Sequence, residues 1–236
     1  MNTGNRLTIL HTLGRERFLF LLLFLLLYLG LAPFLKDWIT ARLLLSILLS
    51  AVFLSTIYAV SQTRRQAVLV SILAVPMLAT TWLTYVMKWR ELTLASHLFS
   101  ILFMLITMVM ILHYVIGAKR VTRDVIFAAI VVYLMIGVMG SLIYALLQNV
   151  SPGSFSIAET TVREGAYVFI YYSFVTLTTL GYGDVTPLTD QARALSFLEA
   201  VVGQLYVAVL IARLVGSHIS QAIAPDGRRN HNGHNS

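Results

Sequence analysis

The chain has 236 residues, of which 58% are apolar and only 11% are charged, whereas about 25% of the residues in an ordinary soluble domain are charged. So few charges cannot cover the surface of a soluble protein of this length, which excludes a soluble enzyme and a disordered protein. The formal net charge is +7 and there is no cysteine, so disulfides and thiolate metal sites are excluded as well.

Six apolar runs are long enough to cross the hydrocarbon core of a bilayer, which takes about 20 residues. They do not alternate apolar and polar residues as the strands of a membrane barrel do, so we predict helices, which satisfy their own backbone hydrogen bonds. The first run is predicted to be a retained helix because no clear cleavage site follows it. The six predicted helices comprise residues 18–35, 38–60, 67–87, 92–118, 125–148 and 194–217.

Basic residues are distributed unevenly between the two sides of these helices. Eleven of the 17 lie before the first helix, in the second and fourth linkers, or from the end of the sixth helix onwards. The positive-inside rule then predicts a multi-pass protein of the cell membrane with both termini in the cytoplasm. In a membrane protein this excess indicates topology, and no nucleic-acid partner is predicted. Residues 1–17 are predicted to be a cytoplasmic segment and residues 218–236 a flexible cytoplasmic tail.

The fourth predicted helix, residues 92–118, contains no Arg or Lys. A voltage sensor needs repeated basic residues there, because each charge that crosses the field contributes about 2.3 kcal/mol per 100 mV. Residues 18–118 are therefore predicted to form a four-helix membrane domain without a voltage sensor. His97 and His113 lie towards the two ends of this helix; they are either pH-sensing groups or, as we favour, interfacial histidines.

About 45 residues separate the fifth and sixth predicted helices. Residues 149–163 are polar and contain Pro152 and Gly153, which predicts an extracellular turret. Residues 166–177 are apolar but too few to span the membrane, which favours a re-entrant half-helix. The C-terminus of such a half-helix would bring roughly half a negative charge to the membrane centre, where it favours a cation.

The half-helix is followed by Thr179-Leu-Gly-Tyr-Gly183-Asp184. Two glycines at alternate positions permit positive φ, so successive carbonyl groups can turn to one side of an extended chain. Together with the Thr179 hydroxyl, a row of such oxygens can replace the hydration shell of a monovalent cation. An ordinary surface turn is the alternative, but it would not need the preceding apolar half-helix. Residues 179–183 are called the candidate filter below.

Residues 176–184, Thr-Leu-Thr-Thr-Leu-Gly-Tyr-Gly-Asp, resemble the pore motif of the potassium channel family, which usually has Val in place of Leu180. The resemblance covers about residues 123–217 and implies an all-α integral membrane protein. It implies six transmembrane helices, with a re-entrant pore helix and a selectivity filter between the fifth and sixth. Asp184 would lie at the filter mouth. The filter would be lined by Thr179, Leu180, Gly181, Tyr182 and Gly183, with K⁺ bound at the first four.

The resemblance also assigns roles to residues around the filter. Tyr171 and Tyr172 stand where the family has an aromatic pair, and there they would brace Tyr182. Val175 stands where some relatives have a glutamate that pairs with the mouth aspartate, so that pair is not available here. Gly203 stands where the family has a hinge in the inner helix; the alternative is an ordinary glycine of a transmembrane helix.

Glu199 is the most unusual residue in a predicted helix, because an acid at mid-membrane depth costs about 2.5–3.5 kcal/mol to insert. We predict that it supports the filter from behind by bonding Thr176 or Thr178, which makes Thr178 a second supporting residue. The alternative is that the sixth helix begins later, so that Glu199 lies near the headgroups or pairs with Arg193.

These features predict the pore-forming subunit of a potassium-selective channel that conducts passively, with K⁺ as permeant ion, no resident cofactor and the lipid bilayer as its surroundings. One chain supplies one filter segment and four are needed to encircle an ion, so a homotetramer is expected. A potassium uptake transporter is the alternative, although such a chain holds four degenerate pore loops and this one holds one. A membrane-embedded hydrolase is disfavoured because no nucleophile elbow or His-Glu-x-x-His spacing occurs.

Overall fold

The structure of the chain is a computed structural model that describes residues 17–31, 34, 39–60, 64–87, 89–118, 120–157 and 167–223. Most of the predicted N-terminal segment (1–16), the end of the predicted turret (158–163) and most of the predicted tail (224–236) lie outside the described residues. So do eight of the basic residues used to predict topology, namely Arg6, Arg15, Lys36, Lys88, Lys119, Arg163, Arg228 and Arg229.

Helices account for nearly all of the described residues. In chain order the elements are α1 (Arg17–Leu31), α2 (Ile39–Val60), α3 (Arg64–Val86), α4 (Arg90–Gly117), α5 (Arg123–Val150), β1 (Phe155–Ile157), α6 (Tyr167–Leu177), β2 (Val185–Pro187) and α7 (Asp190–Ile223). The prediction of a helical fold is confirmed, and α6 coincides with the predicted half-helix. The two short strands were not predicted.

Four helices of the described part are long and apolar enough to cross a membrane, namely α3, α4, α5 and α7. The described part of α1 is also apolar and has 15 residues, and the residues directly before and after it lie outside the described ones. This is the architecture of a multi-pass membrane protein.

The last helix is longer at both ends than hydropathy predicts. It begins at Asp190 because the Thr189 hydroxyl accepts the N–H of Ala192 at 3.3 Å, as an N-cap does. The first turn is polar, so a search for apolar residues places the start at residue 194. The helix also continues to Ile223, so residues 218–223 of the predicted tail are helical.

Helix α5 is the central element, because it packs against α1, α4, α6 and α7. At its start, the Asp124 carboxylate accepts the N–H of Phe18 at 3.2 Å and the hydroxyl of Tyr114 at 3.1 Å. The rings of Phe18 and Tyr114 stack with centroids 5.2 Å apart. These contacts join α1 and α4 to the first turn of α5.

Helices α4 and α7 are joined near the same end of α5. The guanidinium of Arg213 donates to the carbonyl oxygens of Ile116 at 2.7 Å and Ala118 at 3.2 Å. These carbonyls lie at the end of α4, where a helix has acceptors without partners and a partial negative charge. The four-helix part therefore contacts both long helices of the C-terminal part.

At the other end of α5, β1 and β2 form an antiparallel two-stranded sheet. Phe155 pairs with Pro187, Ser156 with Thr186, and Ile157 with Val185. Because β2 begins two residues after the candidate filter, this sheet connects the filter segment with the chain that follows α5.

Candidate functional site

Three amide groups at the start of the filter segment bind α6. The N–H groups of Leu180 and Gly181 both donate to the carbonyl of Val175, at 2.9 and 3.4 Å, and the N–H of Thr179 donates to that of Thr176 at 2.9 Å. The described residues contain no cis peptide, and in a trans peptide the carbonyl points opposite to the N–H. The carbonyl groups of Thr178, Thr179 and Leu180 therefore point away from α6.

The filter backbone alternates in handedness. Gly181 has φ +57° and Gly183 has φ +79°, and Thr179 has φ +60°. The two glycines have the positive φ that the sequence permits, and nothing lies within 4 Å of a Cβ built on either of them. Thr179 was not expected to adopt it, since a β-branched residue there is a strained outlier. Such strain persists only where the surrounding structure holds it.

All residues from Thr178 to Gly183 are exposed on the single chain. Leu180 is 58% exposed and Tyr182 is 67% exposed, although both carry large side chains. The segment is thus attached to its own chain mainly at its two ends, by α6 on one side and by Asp184 and β2 on the other.

Asp184 is held by an aromatic residue of α6. The hydroxyl of Tyr171 donates to Asp184 Oδ2 at 2.7 Å, and the other carboxylate oxygen accepts the N–H of Val185 at 3.1 Å. A tyrosine thus contacts Asp184 in a chain that has Val175 where some channel relatives have an acid. This contact was not predicted.

Tyr171 and Tyr172 were predicted to brace Tyr182. Within one chain their hydroxyls bond other residues instead. Tyr172 points the other way, and its hydroxyl lies 2.6 Å from the Ser196 hydroxyl on α7. Tyr171 and Tyr172 therefore join α6 to Asp184 and to α7, respectively. A contact with Tyr182 of a neighbouring chain stays a prediction.

Glu199 lies 10 residues into α7 and is only 8% exposed. Its carboxylate oxygens accept the hydroxyl of Tyr144 on α5 and the hydroxyl of Ser173 on α6, each at 2.5 Å. The predicted bonding partners, Thr176 and Thr178, are therefore wrong. The Thr178 hydroxyl donates to the carbonyl of Phe174 at 2.6 Å instead, since the hydroxyl of a residue at a helix end reaches the preceding turn.

The alternatives considered for Glu199 are also wrong. The helix begins earlier than predicted, not later, and Arg193 pairs with Asp190 at 3.5 Å. Glu199 instead joins α5, α6 and α7 through Tyr144 and Ser173, and its support of the filter stays a prediction.

Gly203 lies inside the continuous helix α7, where α7 crosses the end of α6. A Cβ built on it would lie 2.6 Å from the carbonyl oxygen of Leu177 and 2.7 Å from the Leu177 side chain. A glycine is therefore required for close packing at this crossing. This explains the residue without a bend, and the hinge stays a prediction.

Tyr144, Ser173, Ser196 and Phe155 belong to the site and were not singled out from the sequence. The sequence carried a signal for Tyr144 and Ser173, because a membrane-buried acid needs hydrogen-bond partners and the neighbouring helices offer few polar side chains. The histidines of α4 lie elsewhere: His97 Nδ1 is 2.7 Å from the carbonyl of Thr93, and His113 lines a small cavity with Phe18 and Gln66.

Comparisons with known proteins point to one class. Residues 120–217 match the sequence profile of a family described as "Ion channel". The chain is 32% identical over 106 residues to Protein LctB of Bacillus caldotenax, a match that covers 42% of this chain and 76% of that protein. It is 35% identical over 77 residues to "Two pore potassium channel c" of Oryza sativa subsp. japonica. That match covers 33% of this chain and only 16% of the plant protein. No solved structure gives a significant match.

Proposed function

The chain belongs to the ion channel family, and from that premise we propose that it is the pore-forming subunit of a potassium-selective channel. Four copies would surround one axis, with residues 179–183 of each copy facing it. Ions would move passively between adjacent rings of carbonyl oxygens.

The observation that carries the proposal is the orientation of the filter backbone. Amide groups of Thr179, Leu180 and Gly181 face α6, so the carbonyl groups of the preceding residues face the opposite side. Five residues reach at most about 16–18 Å, which is about half of the hydrocarbon core. A ring of such carbonyl oxygens from several chains can replace the hydration shell of K⁺ and coordinate the ion.

The exposed surface of the single chain supports a tetramer. The filter is exposed, and so is one face of α7, on which four large apolar residues recur at helical spacing: Leu198, Val202, Leu205 and Val209. On a membrane-spanning helix such a face contacts either lipid or another helix, so it can accommodate a neighbouring copy. Copies of the same chain, placed around the filter axis, would cover both surfaces.

We also propose six membrane spans with both termini in the cytoplasm, Asp184 at the outer mouth and the Arg213 end of α7 at the inner side. The distribution of basic residues supports this orientation. An uptake transporter remains the second candidate for the same motif, and the plant relative with "potassium channel" in its name favours the channel. Membership of an ion channel family argues against the hydrolase.

The proposal is tested with purified protein in liposomes that contain K⁺ and are diluted into Na⁺ or K⁺ buffer. We expect K⁺ flux at rates that exceed those of a carrier, block by Ba²⁺, and exclusion of Na⁺. Equal passage of Na⁺ and K⁺ would contradict selectivity, and K⁺ flux that never exceeds carrier rates would favour the transporter.

The contact between Tyr171 and Asp184 gives the first mutational prediction. Tyr171→Phe removes a hydrogen bond to a carboxylate at the end of the filter, so the conducting state should be lost faster. We expect its lifetime in bilayer recordings to fall about tenfold, the lower end for a hydrogen bond to a charged group, with little change in expression. Tyr58→Phe, on the exposed face of α2, is the matched control. An unchanged lifetime would show that the contact does not stabilise the mouth.

Voltage dependence should be weak. Helix α4 has one basic residue, Arg90, at its first position, and the guanidinium of Arg90 donates to the carbonyl of Asn149 at 2.9 Å. No basic residue lies within the span to couple the field to a helix movement. Conductance should therefore vary gradually between about −100 and +100 mV. A steep dependence would need charges that cross the field, each of which contributes about 2.3 kcal/mol per 100 mV. A steep sigmoidal curve would contradict this prediction.

A further inference from the structure

The far end of the candidate filter is attached to the molecule by β2. Val185 follows Asp184 directly, is 4% exposed, and pairs with Ile157 of β1. The pairing extends one step beyond the sheet, because the N–H of Leu188 donates to the carbonyl of Ser154 at 2.8 Å. We call residues 154–157 and 185–188 the β clamp.

The β1 half of the clamp is fixed to the helices by Phe155. Its side chain is 5% exposed, and its ring contacts those of Tyr144, Phe169 and Tyr172 edge-on, with centroids 5.3–5.4 Å apart. Its N–H donates to Gln148 Oε1 at 3.2 Å. Phe155 therefore joins β1 to α5 and α6, behind the filter.

We expect the β clamp to have a function because the candidate filter contains a strained residue, Thr179, and is exposed on the single chain. Positive φ recurs at Thr179, Gly181 and Gly183. At the two glycines it is unstrained, but at Thr179, which carries a branched Cβ, it persists only where the surrounding structure holds it. The α6 end is held by three amide hydrogen bonds. At the other end, Asp184 accepts the hydrogen bond from Tyr171, and the chain continues directly into β2, which pairs with β1.

We propose that the β clamp sets the lifetime of the conducting filter, with Phe155 as the positioning residue that connects the filter exit to α5 and α6. The proposal rests on the proposed channel function. A filter whose exit strand separates from β1 would lose the alignment of its carbonyls, and with it K⁺ conduction and the exclusion of Na⁺.

The absence of cysteine gives a direct test. Ser156 is exposed and lies opposite Thr186, and the Cα atoms of directly opposed antiparallel residues are about 4.5–5.5 Å apart, within the range that a disulfide bridges. In the double variant Ser156→Cys/Thr186→Cys, oxidation should consume both thiols within one chain. It should lengthen the conducting lifetime in low K⁺ about fivefold, the factor that one typical net hydrogen bond supplies, and reduction should reverse the effect.

Two matched controls accompany this variant. The pair Ser156→Cys/Leu188→Cys is one diagonal step out of register, with a separation of about 7–8 Å, and should keep both thiols free. Each single-cysteine variant should respond to neither oxidant nor reductant. Failure of the in-register pair to close, or closure without a change in lifetime, would overturn the proposal.

A second variant tests Phe155 itself. Phe155→Ala should shorten the lifetime and lower the K⁺/Na⁺ flux ratio, and in the Ser156→Cys/Thr186→Cys background oxidation should restore both after reconstitution. A residue needed only for folding would give no such reversible rescue, and that outcome would contradict a positioning role.

The two proposals fail in distinguishable ways. If wild-type liposomes admit Na⁺ as readily as K⁺, the proposed function fails, and the clamp is then judged from hydrogen exchange of residues 180–188, which needs no conduction. Phe155→Ala should accelerate that exchange at least tenfold, which matches a loss of about 1.4 kcal/mol in local stability. Unchanged exchange would overturn the clamp.

Discussion

Gly181→Ala is expected to abolish K⁺-selective flux while leaving a folded, membrane-inserted chain. A Cβ at this position meets nothing within 4 Å, so space does not oppose it. The backbone does, because φ is +57° and an L-residue resists this region. The variant therefore tests the conformation of the filter without disturbing the packing within its own chain.

The expected effect is large because each of the four chains in the proposed ring carries the same substitution. A left-handed residue with a Cβ costs roughly 1–2 kcal/mol, and four chains at one axis would raise this to about 4–8 kcal/mol. A conformational equilibrium would then shift by on the order of a thousandfold or more, since each 1.4 kcal/mol is a factor of ten. The strain at the alanine is relieved when the adjoining peptide planes rotate. This rotation turns a carbonyl group away from the proposed axis.

The chain offers its own control in Gly216→Ala. Gly216 lies in α7, has open space around a built Cβ, and lacks a positive φ, so alanine should be neutral or slightly stabilising there. Both variants are measured by K⁺ and Na⁺ flux in liposomes and by the stability of the assembled protein. Normal selectivity in Gly181→Ala would mean that the glycine conformation does not shape the ion pathway.

Local features of this molecule could be predicted from the sequence. Hydropathy places α2, α3, α4 and α5 to within a few residues but misses both ends of α7. The chemistry of Gly181 and Gly183 predicts their positive φ, because it depends on the residue itself. The start of α7 at Asp190 was missed for a local reason: a capping hydroxyl, and not hydropathy, decides it.

Contacts between distant residues could not be predicted in the same way. Glu199 was recognised as a residue that needs partners, but Tyr144 lies 55 positions away and the choice between several hydroxyls depends on how α5, α6 and α7 cross. The pairing of β1 with β2 is also non-local, and three residues per strand leave too short a pattern to detect. Asp124 accepts a hydrogen bond from α1. In the sequence it cannot be distinguished from any other acid in the first turn of a helix, so this contact between α1 and α5 could not be predicted.

Gly140→Ala should damage the protein about as severely as Glu199→Ala, although it adds one methyl group. A Cβ on Gly140 would overlap Glu199 Oε1 and would lie 2.7 Å from Ser173 Oγ, so the carboxylate would have to leave its position. The buried Tyr144 hydroxyl would then lose its acceptor, whereas the Ser173 hydroxyl could still donate to the carbonyl of Gly137 at 2.6 Å. Each buried polar group without a partner costs about 1–3 kcal/mol.

We expect both variants to lower the melting temperature of the assembled protein and to reduce K⁺ flux. Gly30→Ala is the matched control, because nothing lies within 4 Å of a Cβ on Gly30 in α1. Glu199→Gln should retain most of the stability, since an amide of the same shape can still pair with both hydroxyls. A mild effect of Gly140→Ala would show that α5 and α7 separate at little cost.

The double variant Gly140→Ala/Glu199→Ala separates the two explanations for such damage. If the alanine at 140 acts by displacing the carboxylate, the loss is already complete once Glu199 is absent, and the new methyl group occupies part of the space that the carboxylate leaves. The combined loss should then fall short of the sum of the single losses by at least about 1 kcal/mol, as for residues in direct contact. If the alanine acts by forcing the helices apart, the losses should add. Because Glu199 contacts Ser173 on α6, a non-additive result in K⁺ flux would also show that this carboxylate holds α6, and through it the start of the filter, in place.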